Sequence, residues 1–158
     1  MRRSPFVLSA AAAALVAVAC GGSSGSSGAA STPAPPAPVV KTATAVVDGK
    51  SETILVGENG MTLYYFTPDK GAGKVTCTGT CLSNWPPLLV APGVTKPTGE
   101  AGVTGTLGLI PNPNGGMQVT YNGWPLYFWI KDTNPGDTTG HKVAGKWFVV
   151  PPDVPSGA

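Results

Sequence analysis

Charge is scarce in this chain: only 11% of its 158 residues are Asp, Glu, Lys or Arg, against about 25% in an average globular protein. Its ten cations include Arg2 and Arg3 at the extreme N-terminus, so the rest of the chain sets eight lysines against eight acids. No Lys/Arg cluster forms, which excludes nucleic acid and argues against anionic lipid binding by a basic face. Histidine is limited to His141, and no carboxylate group has the spacing of a calcium loop, so no metal site is expected. His141 reads as an exposed loop residue, with Lys142 and Lys146 solvated beside it. G-x-S-x-G is met only by Gly21–Gly25 in the Gly/Ser-rich stretch after Cys20, with no strand-to-helix elbow, which argues against the commonest serine hydrolase arrangement. No cofactor is implied. Sustained 3.6-residue periodicity is absent too, and no apolar run reaches the roughly 20 residues that span a bilayer.

The N-terminus has the layout of an export signal. Arg2 and Arg3 precede an uncharged Ala- and Val-rich run, Phe6 to Ala19, which ends at Cys20-Gly21-Gly22. One reading is an ordinary signal peptide cleaved near "AVA", with Cys20 incidental. The preferred reading is that "LVAVAC" resembles a bacterial lipobox, with Ala17 standing where such boxes usually carry Leu. That resemblance implies a signal peptide over 1–19 and a diacylglyceryl group on Cys20, whose two acyl chains would hold the protein stably to a membrane. The next segment, "GGSSGSSGAASTPAPPAPVV", is Gly/Ser-rich and then Pro-rich. Its composition offers too little apolar area to offset chain entropy, so residues 20–42 are expected to be a disordered tether. A single β domain over 43–152 and a short tail over 153–158 complete the expected organisation.

Turn formers are abundant, with 22 Gly and 17 Pro, and they punctuate a repeat. "NGMTLYYFTPD" (Asn59 to Asp69) returns 63 residues later as "NGWPLYFWIKD" (Asn122 to Asp132). Asn-Gly is a strong hairpin signal because both residues tolerate positive φ. Each copy follows a short β-prone run, Glu52–Glu58 or Met117–Tyr121, and opens a strand rich in Leu, Tyr, Phe and Trp. Trp85 follows Asp69 by sixteen residues and Trp147 follows Asp132 by fifteen, and each opens a short apolar segment. Val103–Ile110 alternates as a further strand, and a helical turn fits Cys81 to Trp85. The class is therefore all-β: about eight short strands in two hairpin-based units, near 50–90 and 103–151, forming a pseudo-twofold barrel or sandwich.

Cys77 and Cys81 in "CTGTC" form an even pair in an oxidising compartment. A fully extended strand would separate their Cα atoms by about 13 Å, whereas a disulfide needs about 4.4–6.8 Å. They must lie on a turn, which Gly79 permits. The C-x3-C spacing is not the C-x-x-C of redox motifs.

The doubled Tyr-x-aromatic-x-x-Asp motif (Tyr64, Phe66 and Asp69; Tyr127, Trp129 and Asp132) resembles a family of bacterial lipoproteins with tandem secreted repeats of unknown function. "CTGTCLSNWPPLL", "QVTYNGWPLY" and "NPGDTTG…GKWFVV" are similar to that family's intervening text, and the resemblance spans residues 50 to 151. It implies an extracytoplasmic location and no particular activity.

Strand alternation puts Tyr64 and Phe66 on one side and Leu63 and Tyr65 on the other, and likewise Tyr127 and Trp129 against Leu126 and Phe128. Both sides are apolar, so these strands should be buried on both faces. Their tyrosine hydroxyls then need partners, and Asp69 and Asp132 at the strand exits are candidate acceptors. The expectation is a non-enzymatic envelope lipoprotein whose β domain is structural or binds an envelope protein or small ligand. The alternatives are a redox or metal-associated accessory protein using Cys77, Cys81, His141 and the aromatic residues, or a carbohydrate-active enzyme using Asp69 and Asp132.

Overall fold

The structure, a computed structural model, describes residues 39–158; the signal peptide, Cys20 and most of the expected tether lie outside the described residues. The described residues form seven strands in chain order: β1 (Val40–Val47), β2 (Lys50–Gly57), β3 (Tyr64–Phe66), β4 (Leu107–Pro111), β5 (Met117–Tyr121), β6 (Trp124–Pro125) and β7 (Trp147–Val149). One short helix, α1 (Thr80–Asn84), supplies the helical turn expected near Cys81. The class is all-β with two repeats. The described strands form three small antiparallel sheets, β1-β2, β3-β7 and β4-β5-β6, and they do not close into a single barrel.

The repeat is visible in the backbone bonding. In the first unit Leu63 N donates to Leu55 O (3.0 Å), Leu55 N to Val150 O (2.8 Å) and Val150 N to Leu63 O (3.0 Å). The second unit repeats this three-strand ring with Leu126 N to Val119 O (3.0 Å), Val119 N to Leu88 O (2.9 Å) and Leu88 N to Leu126 O (2.9 Å). Val150 belongs to the second unit and Leu88 to the first. Each aromatic strand is therefore flanked by its own hairpin and by the tryptophan-led segment of the other unit. Between the rings the two aromatic strands meet each other, with Tyr64 N donating to Tyr127 O (2.8 Å) and Tyr127 N to Tyr64 O (3.0 Å). A buried backbone group without a partner is costly, and here neither unit can satisfy its central strand alone.

The turns follow the sequence unevenly. Asn122 (φ 49°) and Gly123 (φ 87°) are both left-handed and join β5 to β6 in two residues, as Asn-Gly predicts. Asn59 is not left-handed; its Oδ1 accepts from Met61 N (3.1 Å), and Gly57 N donates to Met61 O (2.9 Å), giving a wider turn. The tight turn of the first unit instead lies one strand earlier, at Asp48-Gly49 between β1 and β2.

Strand alternation holds as expected. Tyr64, Phe66, Tyr127 and Trp129 enter one apolar cluster with Trp85 and Trp147, whereas Leu63, Tyr65, Leu126 and Phe128 enter a second with Leu55, Val119 and Val150. Two expected boundaries shift. β1 begins at Val40, a fully buried residue, so the last residues assigned to the tether are part of the sheet. The segment 153–158 is also packed: Val154 is buried, Trp124 Nε1 donates to Pro155 O (2.8 Å), and Gly157 N donates to Asn122 O (2.9 Å). Composition suggested otherwise because small and Pro-rich segments carry little apolar area of their own.

Val39 N and Val40 N donate to Thr98 O, and Glu100 N donates to Val40 O (3.0 Å). A chain that begins at Ala43 should therefore lose about 1.5–3 kcal/mol relative to one that begins at Val39, mostly from the Val40 side chain. Thermal melting of the two chains checks this, and equal melting temperatures would show the β1 start to be dispensable.

Candidate functional site

The two motif tyrosines are fully buried, and Asp69 and Asp132 are only 3% and 7% exposed. Their pairing crosses between the units. Tyr64 Oη donates to Asp132 Oδ2 at 2.5 Å, and Tyr127 Oη donates to Asp69 Oδ2 at 2.6 Å. Each aspartate is thus the acceptor for the tyrosine of the other copy, not for the tyrosine five residues before it. In the first copy Asp69 ends a 3-10 turn, Thr67–Asp69, that follows β3.

The second oxygen of each carboxylate is used in the same way in both copies. Asp69 Oδ1 accepts from Thr76 N (2.8 Å) and Thr76 Oγ1 (2.5 Å), and Asp132 Oδ1 from Thr139 N (3.0 Å) and Thr139 Oγ1 (2.6 Å). A threonine seven residues after each aspartate is a motif residue the sequence reading missed, although the spacing is printed twice in the chain. Every hydrogen bond to these carboxylates comes from a donor, the arrangement a buried charge requires. Burial raises the affinity of both phenols for their protons, and the neighbouring carboxylate raises it further.

The position after that threonine breaks the symmetry. Cys77 follows Thr76, and Gly140 follows Thr139. Cys77 is buried and bridged to Cys81, with a Cα–Cα distance of 5.3 Å. A Cβ on Gly140 would lie 2.8 Å from the Tyr64 ring and 2.9 Å from Trp85, so only glycine fits there. Gly140 N also donates to Tyr64 Oη (3.2 Å).

Around the tyrosines the motif aromatics form a file. Phe66 stacks on Trp147 (4.2 Å between ring centres), Trp147 on Trp85 (3.8 Å, planes 4° apart), and Trp85 on Trp129 (4.1 Å). Tyr64 stands edge-on to Trp85 (5.4 Å) and Tyr127 edge-on to Trp147 (5.1 Å). Trp85 and Trp147 are repeat-equivalent, so their contact lies where the two units meet.

His141 is not the exposed loop residue expected. Its side chain is 17% exposed, Nδ1 accepts from Val149 N (3.2 Å), and the ring lies edge-on to Phe148 (5.6 Å). Nε2 lies 3.5 Å from Asp48 Oδ2, which also receives the Lys142 ammonium. The Lys142 hydrogen bond holds the Asp48 carboxyl below its usual range. Among the described residues no three His, Cys, Asp or Glu side chains gather as a metal site, and His141 is not placed with the disulfide. An open groove of about 500 Å³ lies elsewhere, lined by Val39, Leu89, Val90, Val94 and Pro97 with Glu58 and Lys96.

The chain matches the model of a family described as a secreted repeat of unknown function, over residues 45–89 and 108–151. The two matches cover more than half of the chain, and the protein belongs to that family of secreted repeats. No curated protein and no solved structure matches the chain.

The ordinary phenol value is 10.0, and both motif tyrosines lie above it in the folded state. Their contribution to stability is complete below that value and declines as the pH rises beyond it, because the unfolded chain ionises first. In an alkaline titration followed by ring NMR and circular dichroism together, the Tyr64 and Tyr127 phenolates should appear only as the fold is lost. Their ionisation in a still-folded protein would contradict the buried pairing.

Proposed function

We propose that this protein is an envelope lipoprotein, exported by its N-terminal signal, held at the membrane through a diacylglyceryl group on Cys20, and carrying a non-enzymatic β domain that binds a partner or serves structurally. The observation that carries the non-enzymatic reading is that both oxygens of Asp69 and both of Asp132 already accept hydrogen bonds within the fold. An acid and a nucleophile or base must face a substrate from different environments. These carboxylates sit in equivalent environments and spend their oxygens on Tyr127, Thr76, Tyr64 and Thr139. That supports a fastening role over glycoside hydrolysis. The near balance of lysines and acids after residue 19 supports attachment through lipid over attachment through a basic surface.

The groove beside Val39 is a candidate seat for an apolar portion of a ligand or envelope protein, since apolar side chains dominate its wall and Lys96 and Glu58 lie at it. The redox alternative retains one supporting observation, the Cys77–Cys81 disulfide in the same apolar cluster as the tryptophans.

Cys20→Ala should leave an unlipidated product, and globomycin should leave an uncleaved precursor in the native host. Radiolabelled palmitate incorporation and detergent phase partitioning read both. Unchanged processing and unchanged partitioning in Cys20→Ala would overturn the anchor.

A further inference from the structure

Filling a core requires only apolar volume, and aromatic pairs usually keep their ring centres about 4.5–7 Å apart. Here Trp129, Trp85 and Trp147 are in face contact at 4.1 and 3.8 Å. Two phenols abut this file edge-on, and each gives its hydrogen bond to a carboxylate. Indoles and phenols are the most easily oxidised aromatic side chains, and a phenol loses an electron readily only when a base takes its proton. We infer that the three tryptophans form a one-electron relay from the surface to Tyr64 and Tyr127, with Asp132 and Asp69 as the proton acceptors. The partner class is a diffusible oxidising radical, which the relay would quench. The inference does not depend on the membrane anchor or on any ligand of the groove.

The half-buried Trp129 is the entrance. Phe66, at the opposite end of the file, has a benzene ring that is much harder to oxidise than indole. An oxidising radical takes one electron from Trp129 and becomes its anion. An electron moves from Trp85 to Trp129, and then from Tyr64 to Trp85. As Tyr64 loses its electron, its phenolic proton shifts to Asp132 Oδ2 along a hydrogen bond whose oxygens are 2.5 Å apart. The products are a neutral tyrosyl radical and a carboxylic acid, so the protein loses one electron and exchanges no proton with solvent. The branch through Trp147 ends likewise on Tyr127 and Asp69. The direction has an electrostatic basis: the Lys131 ammonium, 5.7 Å from the Trp129 ring centre, disfavours a positive charge there, and the buried carboxylates favour one further in.

The other two tyrosines lack the necessary base. Tyr121 Oη donates to the Pro152 carbonyl (2.6 Å), which cannot hold a proton. Tyr65 is half-buried and gives no hydrogen bond to a carboxylate. The relay thus predicts which two of four tyrosines carry the radical.

Flash oxidation of the full chain with a ruthenium tris-bipyridine sensitiser and persulfate, followed by freeze-quench electron paramagnetic resonance, tests this. A tyrosyl radical is expected, identified by line narrowing with ring-deuterated tyrosine. It should survive Tyr65→Phe and disappear in the Tyr64→Phe/Tyr127→Phe double variant, leaving a tryptophanyl signal. If circular dichroism shows the double variant unfolded, Trp129→Phe at the half-buried entrance decides the matter, because the tyrosyl yield must then collapse in a folded protein. A tyrosyl signal that vanishes with Tyr65→Phe, persists in the folded double variant, or is undiminished in Trp129→Phe would overturn the relay.

Discussion

A phenol buried in an apolar core must donate its hydrogen bond to something, and in this protein the acceptor is supplied by the other copy of the repeat. Tyr64 reaches Asp132 and Tyr127 reaches Asp69, so each hydrogen bond fastens one unit to the other. Leaving a buried donor or acceptor unmade costs about 1–3 kcal/mol, and more for a charged group. Two tyrosines and two carboxylates stand to be orphaned if the units part. The exchange of backbone partners at Leu63–Val150 and Leu126–Leu88 works in the same direction. The sequence motif describes a joint between two halves, and the spacing from Tyr to Asp is the spacing that lets each half reach across.

Much of this architecture was legible in residues. The Asn-Gly pairs marked where strands end, and the alternation around Tyr64 and Tyr127 assigned the faces correctly because the side-chain period of a strand is fixed. Cys77 and Cys81 were legible through geometry, since only a turn could bring them together. The crossing of the Tyr–Asp pairs was not legible, because sequence shows that an acceptor is near and not which copy supplies it. Asp48-Gly49 carried a hairpin signal as strong as Asn122-Gly123 but lies before the repeat motif. His141 was misplaced for a related reason: its partners, Val149 N and Asp48, come from two other parts of the chain.

Departures from symmetry separate what the fold needs from what one unit does alone. Asp, Thr and Tyr occur in both copies and make the same bonds to one another. At the residue after Thr, the first unit places a disulfide-bonded cysteine and the second a glycine packed against Tyr64. The disulfide is therefore a local clamp on the loop leading into α1, consistent with the modest stabilisation that a short closed loop gives. At the aromatic position Phe66 and Trp129 differ in the same way, filling equivalent space with rings of different chemistry. The central joint is common to both units, and the unit-specific chemistry sits at its edge.

Double-mutant cycles on the motif test the joint most directly, using Tyr→Phe and Asp→Asn variants with stability read from urea unfolding. The crossed arrangement predicts coupling of about 1–3 kcal/mol for Tyr64 with Asp132 and for Tyr127 with Asp69. It predicts near-additivity for Tyr64 with Asp69 and for Tyr127 with Asp132. Strong coupling within each copy and additivity between copies would contradict it.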